Sequence, residues 1–220
     1  MGSIYNKADS QGGGKVATVN GKQLPLLFAK VLSIILSPSV LVVIFIFALS
    51  FTYVTSFWRG LFGGIVGVFL LVGMPTLFVL WRYLSGRTRD LFLRRREDRF
   101  LPLLVALVSG LVGIVILQQK GAPTLLTLFG FMLLANLGVI TLITFFWKIS
   151  LHTATSAGLI TLLVIMSSVN LIWLYVFVVL SGWARVKLKD HSLTQVVAGA
   201  LVAIILTFVL MWLGGFKVKI

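Results

Sequence analysis

Long apolar runs separated by short polar segments follow the polar start of this chain. An apolar run of about 20 residues can cross a bilayer as a helix, because a helix satisfies its backbone hydrogen bonds internally. The chain is 59% hydrophobic with a mean hydropathy of +1.10, whereas a soluble domain is roughly 45–50% apolar. The sequence therefore predicts an all-α fold, a polytopic bundle of transmembrane helices.

We expect six or seven spans, because two of the apolar runs are shorter than the roughly 20 residues of a full crossing. The predicted spans lie near residues 39–57, 61–82, 101–117, 124–147, 153–167, 170–183 and 194–213. The short runs within 153–183 form either two tilted crossings or a re-entrant hairpin, and both return the chain to the side it left. Residues 24–36, which contain Lys30, form an interfacial helix or a kinked extension of the first span.

The domain organisation is simple. Residues 1–23 are polar and glycine-rich and predict a disordered tail, and residues 24–220 predict a single transmembrane domain. Within residues 60–67 the glycines recur at a spacing of four, which favours close packing between helices.

Positive charge is unevenly distributed along the chain. The formal net charge is +14, and of the 19 Lys and Arg residues fifteen fall on one predicted face: four before residue 31, seven within 82–99 and four within 148–189. The positive-inside rule places this face and the N-terminus in the cytoplasm, in a plasma or inner membrane. The expected partners are anionic phospholipids rather than nucleic acid, since no large soluble domain carries the charge.

Several kinds of chemistry are disfavoured by composition. The chain has no cysteine, so thiolate catalysis and Cys-based metal sites are excluded. Its five acidic residues lie outside the predicted spans, which argues against the carboxylate relay of an ion-coupled transporter. They also provide a single cluster in one loop, whereas an intramembrane prenyltransferase needs paired acidic motifs to hold Mg²⁺. We expect no metal or cofactor.

The two histidines of the chain, His152 and His191, precede apolar spans on the basic face. The parity of the spans brings segments 87–102, 148–152 and 184–195 to that face. Guanidinium groups bind phosphate oxygens, one imidazole can attack phosphorus, and a second can protonate the leaving oxygen. The alternative is that these side chains are only solvated or bind lipid headgroups, as in an anionic-lipid patch.

Three short motifs here resemble those of the type 2 phosphatidic acid phosphatase family, membrane lipid phosphatases with a histidine nucleophile. The family's first motif is Lys, six residues and Arg-Pro, and the chain has Arg94 followed by Leu101-Pro102. The second is Pro-Ser-Gly-His, and the chain has Ile-Ser-Leu-His at 149–152. Each copy keeps only part of its motif.

The third family motif is Ser-Arg, five residues, His, three residues and Asp. The chain has Ala184-Arg185, then His191 and Gln195, so the Arg-to-His spacing is kept and the aspartate is replaced. The three motifs occur in the family's order and on one predicted face. The resemblance covers residues 82–213, which it identifies as a phosphatase-like core.

The resemblance implies catalytic, phosphate-binding and orienting roles for individual residues. His191 would be the nucleophile and His152 the general acid. The phosphoryl oxygens would be bound by Arg185, Arg94 and Ser150, with Lys148 or Arg99 in place of the arginine that Leu101 replaces. Gln195 would orient His191 in place of the family's aspartate.

The change to Gln195 carries the greatest consequence. His191 and Gln195 are four apart and share a face on a helix, so the amide oxygen can accept the Nδ1–H bond without supplying charge. Asp190 would point elsewhere on that helix. The sequence therefore predicts a metal-independent phosphatase of membrane lipid phosphates or diphosphates, of phosphatidate or polyprenyl diphosphate type. The alternative is a catalytically silent relative that binds phospholipid, or a subunit of a membrane complex or homo-oligomer.

Overall fold

A computed structural model describes residues 23–52, 56–88, 91, 95 and 97–216. Over these residues the chain is helical throughout and contains no strand. The helices are α1 (Leu24–Ile35), α2 (Pro38–Phe51), α3 (Phe57–Val68), α4 (Met74–Leu84), α5 (Phe100–Gln119), α6 (Thr124–Phe146), α7 (Leu151–Met166), α8 (Tyr175–Lys187) and α9 (Leu193–Leu213). A π-helical turn at Phe69–Gly73 joins α3 to α4, and 3₁₀ turns at Glu97–Arg99 and Val169–Leu174 precede α5 and α8.

The all-α transmembrane fold predicted from the sequence is confirmed. Six helical stretches in the described part of the chain are long and apolar enough to cross a membrane: Leu24–Phe51, Phe57–Leu84, Glu97–Gln119, Thr124–Phe146, Val169–Lys187 and Leu193–Leu213. The protein is therefore an integral membrane protein. The predicted tail falls, apart from Gln23, outside the described residues.

Helix α7 is the shorter apolar helix predicted within 153–183, and it occupies the centre of the bundle. It has 16 residues, about 24 Å at 1.5 Å per residue, and ten of them are buried. A helix surrounded by protein does not need to match the bilayer thickness with its own length. The stretch that follows, Val169–Lys187, does reach the length of a span.

Residues 24–36 lie in the first long apolar stretch, Leu24–Phe51, which the backbone divides into α1 and α2. Ser37 has an extended backbone (φ −70°, ψ 148°), its hydroxyl accepts from the Val40 amide, and Pro38 begins α2. Helix α1 packs on α8, where the ring centroids of Phe28 and Trp183 lie 5.9 Å apart. The stretch therefore bends at Ser37, which agrees with the kinked extension among the two sequence alternatives.

Glycines set the distance between α2 and α3, as their spacing predicted. Gly60, Gly63, Gly64 and Gly67 are all buried. A Cβ atom on Gly64 would lie 2.6 Å from the ring of Phe47, and one on Gly67 would lie 2.9 Å from Ile46. Any larger side chain there would force the two helices apart.

Helices α7 and α9 run parallel, so both begin on the same face. The α7 amide of Ser150 donates to the α9 carbonyl of Gln195 at 3.1 Å, and the Thr153 hydroxyl donates to the Val196 carbonyl at 3.0 Å. Farther along both helices, the Asn136 amide on α6 donates to the Thr207 hydroxyl at 3.2 Å. This pairing fixes the starts of α7 and α9, which carry the candidate site.

Candidate functional site

A cavity of about 840 Å³ lies inside the bundle. Its walls are mainly apolar side chains of α2, the π-helical turn, α4, α5, α6 and α7, including Val42, Leu71 and Met132. Most of its charged and imidazole groups lie at the face where α5, α7 and α9 begin and α8 ends: Arg99, His152, Arg185, Asp190 and His191. Lys30 of α1 also lines the cavity. The cavity is thus amphipathic, with a cationic head and an apolar body.

Both histidines line this cavity, as the span parity predicted. His152 is the second residue of α7, and His191 lies in the connection between α8 and α9, one residue before the Ser192 cap. His191 is only 7% exposed. The two imidazoles therefore share one compartment on one side of the bundle.

The contact between His191 and Gln195 is present, although a cap rather than a helical face creates it. His191 Nδ1 lies 3.2 Å from Gln195 Oε1, and the Ser192 backbone amide lies 3.2 Å from the same oxygen. Ser192 and Gln195 form a capping box at the start of α9. Gln195 therefore both caps α9 and holds the His191 ring.

This arrangement determines which nitrogen of His191 carries the proton. The Ser192 backbone N–H can only donate, so the side-chain atom of Gln195 that faces it is the acceptor oxygen rather than the amide nitrogen. That oxygen cannot donate, so His191 Nδ1 must carry the hydrogen. The lone pair is then on Nε2, the tautomer that a nucleophilic imidazole needs.

The surroundings of His191 keep its ring neutral. Burial, followed by the positive charges of Arg99, Lys148 and Arg185, lowers the pKa of His191 from 6.5 to about 3. The hydrogen bond to Gln195 opposes this shift. Because a neutral imidazole is the form that attacks phosphorus, His191 is in its reactive form at pH 7.

Arg185 is held by two groups from different parts of the chain. Its Nη1 donates to the Ser33 hydroxyl of α1 at 2.9 Å and lies 3.2 Å from the Asp190 carboxylate. The side chain of Lys148 donates to the Asp190 carbonyl oxygen at 2.8 Å. Helix α1, Lys148 and the end of α8 are thereby connected through Arg185 and Asp190.

The expectation that Asp190 points away on a helix is wrong. Helix α8 ends at Lys187, and Lys189 adopts a left-handed conformation with φ 58°. This turn ends the helix and places Asp190 in the connection to α9, with its carboxylate directed towards Arg185.

The first motif has Leu101 where the family has an arginine, but Arg99, two residues earlier, reaches the cavity. Leu101 is 46% exposed, whereas Arg99 is buried and lines the cavity beside Pro102. The charge of Arg99 acts on His191, and that of Lys148 does so too. Both residues proposed as substitutes for Leu101 are therefore close to the imidazole.

Two other predicted phosphate ligands are placed differently. Ser150 is fully buried, and its hydroxyl accepts from the Thr153 amide as the cap of α7 rather than lining the cavity. Its role as a phosphate ligand stays a prediction. Arg94 lies outside the described residues.

The helix ends add to the positive potential of the cavity head. Helices α5, α7 and α9 all begin there, and the N-terminus of a helix carries about half a positive charge. Together with Arg99, Arg185 and Lys148, these ends favour an anion such as a phosphate. Over the described residues, no three His, Asp or Glu side chains are grouped as metal ligands.

Comparisons with protein-family models, with curated proteins and with solved structures find no match. The candidate site therefore rests on its own geometry.

Sequence reasoning missed Ser33 and Lys30, which line the cavity from α1. Their spacing of three residues places both on one face of an otherwise apolar helix, and this polar pair was the signal available in the sequence. Ser33 is 152 residues from Arg185 along the chain, so no local motif links them.

Proposed function

We propose that this protein is a metal-independent phosphatase of membrane lipid phosphates or diphosphates, a divergent member of the type 2 phosphatidic acid phosphatase family. The observation that carries the proposal is the placement of two imidazoles, two arginines and a lysine at the head of one amphipathic cavity. An apolar cavity body suits an acyl or isoprenoid chain, and the cationic head suits a phosphate.

In the first half-reaction His191 Nε2 attacks phosphorus while the bond from phosphorus to the lipid oxygen breaks. His152 donates a proton to that oxygen, having received it from the incoming phosphate monoanion. Arg185 and Arg99 stabilise the negative charge of the transferring phosphoryl group. The products are the lipid alcohol and a phosphohistidine whose Nδ1–H remains bonded to Gln195.

In the second half-reaction water attacks the phosphohistidine. His152, now neutral, accepts a proton from the water, and the bond between phosphorus and Nε2 breaks. His152 returns this proton to the phosphate, which leaves as the monoanion, and His191 regains its lone pair. Gln195 cannot accept a proton, so the imidazole keeps its positive charge in the intermediate, which makes it a good leaving group.

The alternative is a binding protein without turnover. The observation that favours it is the neutral amide at Gln195, since an aspartate in that position would stabilise the positive charge that develops on His191. Such a protein would hold a lipid phosphate in the same cavity and release no phosphate.

The proposed orientation follows from charge. The sequence predicts that fifteen of the 19 cationic residues fall on the face of the cavity head, so we place that face and the N-terminus in the cytoplasm of a plasma or inner membrane. The partners we propose are the lipid phosphate and anionic phospholipids, with a homo-oligomer or membrane complex as a further arrangement.

The test is phosphate release by purified protein from phosphatidate, phosphatidylglycerophosphate and a polyprenyl diphosphate in detergent, with EDTA present. We expect release from at least one lipid, unchanged by EDTA and abolished in His191→Ala and His152→Ala. Phosphate release that persists in His191→Ala would refute the proposal, as would the absence of release from every lipid.

A further inference from the structure

We propose that α1 is a functional wall of the phosphate site, and that the hydroxyl of Ser33 positions the Arg185 guanidinium for phosphoryl binding. This inference rests on the proposed function for its catalytic consequence. Its structural basis is the bond between Ser33 Oγ and Arg185 Nη1 at 2.9 Å.

The Ser33 hydroxyl differs from many hydroxyls of the bundle because its partner is a charged side chain on another helix. Those of Ser50, Thr76, Thr141 and Thr161 donate to the carbonyl four residues earlier in their own helices, at 2.6–2.7 Å. This local bond is the usual way to satisfy a hydroxyl in an apolar helix. Ser33 instead bonds across to a different helix and to a charged group.

Helix α1 presents one face to the cavity. Lys30, Ser33 and Ile34 line it from this helix at the three- and four-residue spacing of one helical face, and Ser37 continues the lining after the helix ends. On this side Ala29 and Ser33 are the buried residues of the helix, and the main chain of Ser33 lies beside the His152 ring. The helix also carries exposed apolar side chains such as Leu27 and Val31. Its position is thus set by its contacts with α8 and with the site.

Arg185 needs such a contact because Asp190 competes for it. The Asp190 carboxylate lies 3.2 Å from the same Nη1 atom, on the side of the connection to α9. A hydroxyl can accept from the guanidinium without neutralising it, so Ser33 fixes the orientation of the guanidinium and leaves its charge available for phosphate. An arginine positioned by two partners loses little freedom when it binds the phosphoryl oxygens.

The test compares Ser33→Ala with the matched control Ser39→Ala, since Ser39 also lines the cavity but is exposed. We expect Ser33→Ala to lower kcat/KM for the lipid phosphate about tenfold, the usual effect of losing one hydrogen bond to a charged group. Ser39→Ala should stay within about twofold of the wild type, and Ser33→Thr, which keeps the hydroxyl, should recover most of the loss.

A double-mutant cycle separates positioning from mere folding. In an Arg185→Lys background, Ser33→Ala should lower kcat/KM further by less than about twofold, because the effect of Ser33 acts through the guanidinium. An equal loss in both backgrounds, or a Ser33→Ala enzyme with wild-type kcat/KM, would overturn the inference while leaving the phosphatase proposal intact. The water-soluble substrate p-nitrophenyl phosphate should show the same Ser33 dependence as the lipid, since the contact concerns the phosphoryl group alone.

If the wild type releases no phosphate, the proposed function fails. The positioning role of Ser33 is then tested by measuring how tightly the variants bind a phosphate analogue. Calorimetric titration with orthovanadate should then show that Ser33→Ala binds vanadate more weakly than Ser39→Ala does. Equal vanadate affinities for these two variants would rule out positioning by Ser33.

Discussion

Replacing Gln195 by Glu tests the orienting contact of the proposed nucleophile. The substitution keeps an acceptor oxygen at 3.2 Å from His191 Nδ1 and adds one negative charge. A Glu at this position also completes a capping box and favours the N-terminus of α9, so the fold should be retained.

The size of the effect follows from the distance. Two unit charges 3.2 Å apart interact by about 1.3 kcal/mol in water and about 5 kcal/mol at an effective dielectric constant of 20. A carboxylate this close typically shifts a pKa by roughly 1–3 units, so we expect the pKa of His191 to rise from about 3 to about 5. His191 then stays mostly neutral at pH 7.5 and remains a nucleophile.

The same charge stabilises the imidazolium that forms as His191 attacks. Two pKa units correspond to about 2.7 kcal/mol, and if half of this is present in the transition state, kcat rises about tenfold. The assay is phosphate release from a lipid phosphate against pH. The acid limb of kcat/KM should move upward with the pKa of His191, since protonation removes the attacking lone pair.

Two controls separate the His191 contact from the cap. Gln195→Leu removes the acceptor and should lower kcat by at least about a hundredfold, because the tautomer is no longer fixed. Ser192→Ala removes only the capping hydroxyl, at a cost of about 1 kcal/mol in stability, and should change kcat less than about twofold. If Gln195→Glu changed neither kcat nor the acid limb, Gln195 would be a capping residue alone.

Three further predictions concern packing, charge and pH. Gly199→Ala should cost about 1–3 kcal/mol in stability and reduce activity, because a Cβ there would lie 2.6 Å from the Ser150 carbonyl oxygen. Thermal unfolding in detergent measures this loss, and the control Gly138→Ala, whose Cβ would have its nearest neighbour at 3.9 Å, should leave the unfolding temperature unchanged. Arg99→Gln should lower kcat/KM by about a hundredfold or more, since it removes a buried cation beside the phosphate, while the exposed Arg95→Gln should stay near wild type in the same assay. The pKa of His191 is about 3 in the folded protein and about 6.5 in the unfolded chain, so the unfolded chain binds the extra proton as pH falls below 6.5. The contribution of His191 to stability should therefore decrease by up to about 1.4 kcal/mol per pH unit between pH 6 and 4, and His191→Asn should remove this contribution and make the pH dependence shallower in denaturant titrations.

The membrane fold and the shared face of the site were predictable because both depend on properties that add up along the chain. Apolar runs of sufficient length specify spans, and the number of spans between His152 and His191 specifies that they return to one face. The four-residue separation of His191 and Gln195 also predicted that their side chains meet, and they do. The local conformation differs, however, since His191 precedes the helix and the capping box makes the contact.

The rest of the site depends on tertiary structure that no local pattern encodes. Ser33 meets Arg185 across 152 residues because α1 bends at Ser37 and packs on α8. Asp190 was misplaced because helix propensity does not reveal that Lys189 would adopt a left-handed turn and end α8. Arg99 rather than the residue at 101 reaches the cavity because of the rotation of α5 about its axis, which packing sets.

The most direct test of one phosphoryl site shared by both histidines is capture of the covalent intermediate. Purified protein would be mixed with a lipid phosphate labelled with ³²P, quenched in alkali, and mapped by peptide mass spectrometry. We predict phosphate on His191 in the wild type and none in His191→Ala. Because His152 also assists the attack of water, His152→Gln should retain any label that it forms for longer than the wild type. Phosphate release without label on His191, or label at another residue, would contradict the account.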